Sequence, residues 1–133
     1  MSDIYIEDFN RDVAIILHRL YNSFPRPAAL YVDEVAGNDD PDEFGVASER
    51  HQRCLGAMIW LAEEGFLRYR DTIGIEGVDA AVLSLSGFRA LHQTDERGTQ
   101  AMLIYAIREA LRDKNSEAVK RCINKLFDVF KTS

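Results

Sequence analysis

Near the start of the chain, apolar residues recur every three or four positions: Phe9, Val13, Ile16, Leu17, Leu20 and Phe24. That spacing lines one face of a helix and predicts one over about Glu7–Asn22. Glu7 and Asp8 stand at its start, where the positive end of a helix favours acids. Pro25 and Pro27 stop it. Ala28–Val35 fits no single period. Tyr31-Val32 is a β-prone pair, whereas Val32–Ala36 fits one helical turn. Gly37–Gly45 holds two Gly, one Pro, one Asn and four acids. It is either a loop throughout or carries a short helix around Pro41–Phe44.

Ser48 then reads as the N-cap of a helix that closes with Gly65 as its C′ residue. Leu55, Met58, Ile59 and Ala62 form its apolar face, widened by Trp60 and Leu61. The N-terminal half carries Glu49, Arg50, Gln52 and Arg53. A strand is predicted at Phe66–Asp71 and a second at Ala80–Leu85, with Gly74 and Gly77 marking the hairpin tip. Ser86 is expected to cap a short helix with Phe88 and Leu91, and Gln93–Gly98 to turn. A helix follows over Ala101–Arg112, broken and recapped at Asn115-Ser116. Val119, Cys122, Ile123, Leu126, Phe127 and Phe130 then form a wide apolar stripe. The expected fold is mainly α with a small β-hairpin, in two parts: 1–92, and a helical extension at 93–133 that forms an αα-hairpin. There is no internal repeat and no low-complexity segment.

The stretch Leu55-Gly56-Ala57-Met58-Ile59-Trp60-Leu61-Ala62-Glu63-Glu64-Gly65-Phe66-Leu67 resembles the recognition helix of the winged-helix superfamily, which ends in L-x-x-x-G followed by two apolar residues. Leu83-Ser84-Leu85-Ser86-Gly87-Phe88-Arg89-Ala90-Leu91 is similar to the region after the second wing strand, with Gly87 placed earlier than the usual glycine. The resemblance covers about Phe9–Leu91 and lies at the level of fold. It implies a winged helix-turn-helix with a recognition helix at about 48–64 and a wing at about 66–85. The acidic loop at 37–45 departs from it.

The resemblance also implies candidate sites. Ser48, Arg50, His51, Gln52 and Arg53 would open the recognition helix and reach base edges in a major groove. Arginine pairs with guanine and glutamine with adenine. Arg68 and Arg70, on the wing, would meet phosphate. Proteins of this kind dimerise through added helices, which makes Val119, Ile123, Leu126, Phe127 and Phe130 a candidate homodimer interface. The leading expectation is a transcriptional regulator that binds double-stranded DNA. The alternative is a winged-helix protein-interaction module without DNA binding. The same polar residues also read as an ordinary solvated helix face, and the C-terminal stripe as packing within the chain.

Charge weighs against the DNA reading. The 133 residues carry a net charge of -6, with a pI near 5.0. Met1–Glu49 holds three basic and eleven acidic residues, and Arg50–Arg70 holds four and two. Thr99–Ser133 is the other basic stretch, with seven against four. The expected wing tip, Gly74–Asp79, has two acids and no base, so a phosphate backbone would repel it. The acidic face offers a surface for a basic protein partner instead.

Apolar residues make up 47% of the chain, enough for a core. Cys54 and Cys122 fall in apolar helical patterns and are expected as buried thiols. Met1–Phe9 has three acids and no base, unlike a signal peptide, and no apolar run approaches ~20 residues. A cytoplasmic protein is therefore expected, with no membrane association. Asp40–Gly45 only faintly matches a calcium loop, because Phe44 and His51 stand where ligands belong. His18, His51 and His92 have no zinc spacing. No nucleophile elbow, dinucleotide fingerprint or Walker lysine occurs. No enzyme activity, metal or cofactor is expected.

Overall fold

The computed structural model describes residues 4–94 and 102–132. The greater part of the expected 93–98 turn, and the expected helix start at Ala101, lie outside the described residues. The apolar period near the N-terminus forms α1, Ile4–Ser23, about one turn longer at its start than predicted. Val13, Ile16, Leu17 and Leu20 are fully buried on it, each worth about 1.5–3 kcal/mol of removed apolar surface. The ambiguous stretch resolves into both alternatives in succession, a strand β1 (Ala28–Tyr31) and a short helix α2 (Val32–Ala36).

No helix forms at Pro41–Phe44. The Asp42 carboxylate accepts the backbone N–H groups of Phe44 and Val46, each at 2.9 Å. Such local side-chain bonds favour a turn over a helix. Helix α3 then runs Glu49–Glu63, and the Ser48 hydroxyl accepts the His51 N–H at 3.1 Å as its N-cap. Gly65, at φ +93°, takes the left-handed conformation that ends it.

The first predicted ribbon strand is split into β2 (Leu67–Arg68) and β3 (Asp71–Ile73); the return strand β4 is Gly77–Leu83. Both pieces keep one antiparallel register on β4. Leu67 lies opposite Leu83, and Ile73 opposite Gly77. The break lies beside Ala80, a non-glycine residue at φ +54°. On the other edge of β4, the pairing with β1 shifts register between Ala28 and Leu30. An extra residue in left-handed conformation is one of the forms a bulge takes. The sheet order is β1-β4-β2, with β3 also on β4. A Cβ on Gly77 would run into the Leu30 carbonyl, so only glycine lets β1 approach there.

The cap of the following helix is Ser84, not Ser86. Helix α4 is Leu85–Leu91, and Gly87 N–H donates to the Ser84 hydroxyl at 2.9 Å. Leu85, expected to end the strand, is 61% exposed and opens the helix. Helices α5 (Leu103–Arg112) and α6 (Ser116–Thr132) pack against each other and against α1, and α6 also covers α4. Their buried residues join those of α1 and α3 in one core cluster. Helices α5 and α6 therefore add to the same core rather than forming another. Among the described residues the architecture is six helices with a small antiparallel sheet, and no helix is long and apolar enough to cross a membrane.

Candidate nucleic-acid interface

The start of α3 is held by three carboxylates and a carbonyl. Asp12, on the α1 face turned to α3, has a side chain only 2% exposed. Arg50 donates to both its oxygens, each at 2.7 Å, and its Nε lies 3.5 Å from Asp8. This fork-on-fork geometry is the strong form of an Arg–carboxylate pair. The Asp12 hydrogen bonds hold the Arg50 guanidinium above its usual pKa. Beside the pair, burial, with the Asp12 charge, pushes the Cys54 thiol up to about 12.

His51 turns inward and is 8% exposed. Its Nε2–H donates to the Ile75 carbonyl at the hairpin tip, at 2.7 Å. Nδ1 has no hydrogen-bond partner among the described residues and faces Asp33 of α2 at 4.0 Å. Ser48 is engaged by the acidic loop. Asp39 accepts its hydroxyl, and its backbone N–H at 3.1 Å. The hydroxyl bond first, and the N–H second, hold the Asp39 carboxyl below the usual carboxylate range.

The remaining candidates face solvent. Gln52 donates to the Ala47 carbonyl at 2.8 Å. Arg53 pairs with Glu49 at 2.9 Å and stacks over the Tyr5 ring at 4.0 Å. Arg68 and Arg70 are exposed on the ribbon, and neither forms an ion pair with the described residues. So the structure brings Gln52, Arg53, Arg68 and Arg70 to the surface and turns Arg50 and His51 toward the body of the protein. Asp71, Glu76 and Asp79 are exposed on the same hairpin, and Asp40, Asp42 and Glu43 on the loop.

Three of the five residues of the expected dimer stripe are buried within the chain. Val119, Ile123 and Leu126 are 5%, 0% and 0% exposed. Phe127 packs edge-on to Trp60 at 5.8 Å, and Phe130 stacks on Phe66 at 3.8 Å. Val119, Ile123 and Leu126 are thus committed to the core of the chain, whereas Phe127 and Phe130 are half-buried at its edge.

Sequence reasoning missed Asp8, Asp12 and Asp39. Asp12 had a signal: it sits between Phe9 and Val13, at the edge of the apolar arc, where a charge needs a partner. Asp39 had none, because its contact spans a loop whose path no periodicity records. No family model matches the chain, and neither a curated protein nor a solved structure is found similar to it.

Proposed function

We propose that this protein is a winged-helix-type interaction module whose partner is a protein with a basic surface. The element order α1-β1-α2-α3 followed by a ribbon, with β1 paired to the returning ribbon strand, is the layout expected of a winged helix. The observation that carries the choice of partner is the tie of Arg50 to Asp12 and Asp8. It removes the arginine best placed to read a base. Three exposed arginines then remain for phosphate, among hairpin and loop acids, and so few contacts give little affinity at physiological salt. The acidic loop and hairpin instead complement a basic protein surface.

The exposed Gln52, Arg53, Arg68 and Arg70 favour the second reading, a DNA-binding regulator. Selection from random duplexes at low and moderate salt separates the two. The interaction reading expects no enriched motif and no retained DNA. It also expects a co-purifying protein that is lost when Asp40, Asp42 and Glu43 are changed to Lys and kept when Gln52 and Arg53 are changed to Ala. An enriched motif abolished by Arg53→Ala would establish the regulator instead.

A further inference from the structure

Both ring nitrogens of His51 face an acceptor. Nε2 lies 2.7 Å from the Ile75 carbonyl oxygen, and Nδ1 lies 4.0 Å from an Asp33 carboxylate oxygen. A neutral imidazole has one N–H to give. With the proton on Nε2, as the shorter contact requires, the Nδ1 lone pair faces the carboxylate with no proton between them. With the proton on Nδ1, two lone pairs would meet at 2.7 Å instead. His51 is 8% exposed, and its Nδ1 is buried without a partner among the described residues. Bulk water therefore does not relieve the conflict.

We propose that His51 is a pH-operated clamp: the charged ring donates from both nitrogens and ties the hairpin tip and α2 to the start of α3. Only the imidazolium carries two N–H donors. The charged groups that face it from neighbouring elements are acids. Asp33 stands on α2, and Asp39, on the loop, also attracts a charge on the ring. Glu76 is exposed next to Ile75. Arg50, next to His51 in α3, is taken by Asp12, and Arg19 by Glu34. The Asp33 side chain is 58% exposed, so it is free to swing in by the ~1 Å that a hydrogen bond needs. The added bond exists only while the ring is charged. The clamp therefore tightens as pH falls through the ring's titration and loosens as pH rises through it. The inference holds whichever macromolecular partner the α3 face takes.

The full chain is titrated by NMR between about pH 8 and 5, the range in which histidine switches. Ring nitrogen shifts give the protonation state of His51. Amide exchange at Val32, whose N–H donates to the Glu76 carbonyl, reports whether α2 holds the hairpin tip. Corrected for its intrinsic pH dependence, Val32 exchange should slow by roughly threefold as the ring gains its charge, the scale of one half-exposed ion pair. In Asp33→Asn the new amide donates to the Nδ1 lone pair of the neutral ring, and the step should vanish. It should vanish in His51→Gln as well, whose amide can still donate to Ile75. A ring that stays neutral throughout, a charged ring with unchanged Val32 exchange, or a step that persists in Asp33→Asn would each overturn the proposal.

Discussion

At the start of α3 the contacts are ionic and directional: Asp39 on Ser48, Asp12 on Arg50, and the Ile75 carbonyl on His51. At its end they are apolar. Met58 and Leu61 are fully buried, and Phe66, just beyond the helix, stacks on Phe130 of α6. The apolar end gains from area and tolerates small shifts in geometry. The ionic end gains only if each charge keeps its partner, because a desolvated charge left alone costs more than the pair contributes. One helix is thus fixed in depth at its end and in direction at its start.

Truncating the apolar side should have the largest effect. Leu126→Ala removes a fully buried α6 side chain from the core cluster and should cost about 2–5 kcal/mol in urea unfolding. A loss below about 1 kcal/mol would mean that α6 is not part of the cooperative core. Asp12→Leu comes next. It strands the Arg50 guanidinium, whose side chain is 30% exposed, at a cost of about 2 kcal/mol, discounted for that access to water. The double change Asp12→Leu with Arg50→Met should recover most of the loss. If the pair were merely a surface contact, the single change would be silent.

The smallest effect concerns pH. The Asp39 carboxyl is held below its ordinary value of 3.8 by Ser48. A depressed folded-state pKa gives stability that is present above the unfolded value and lost as pH falls through the folded one. The Ser48 and His51 amide shifts should therefore move together, with a midpoint below 3.8, and Asp39→Asn should abolish that step. A midpoint at or above 3.8 would show that the loop does not hold the helix start.

The contrast between the two ends also sets how much could be read from sequence. Phe9, Val13, Ile16, Leu17 and Leu20 declare α1 because burial repeats with the helix period. The same logic finds α3, α5 and α6. It fails where a single polar bond decides. In Leu83-Ser84-Leu85-Ser86-Gly87 both serines are plausible caps, and alternation extends the strand to Leu85. Ser84 prevails because its hydroxyl both donates to the Gly65 carbonyl at 2.6 Å and accepts from Gly87. The candidate interface was half legible for the same reason. Gln52, Arg53, Arg68 and Arg70 reach the surface as the pattern implied. Arg50 and His51 follow partners 38 and 24 residues away in the chain, a distance at which periodicity carries no information.

The ribbon is pinned at both ends. Its base is tied by Ser84 to the Gly65 and Phe66 carbonyls, and its tip by His51 to Ile75 and by the Val32 N–H to the Glu76 carbonyl. A hairpin fastened only at its base swings like a flap. This one behaves as a strut: a push on the tip is delivered to the first turn of α3 and to α2 rather than absorbed in the loop. Lengthening the tip by a few residues would cut that linkage while leaving both helices in place.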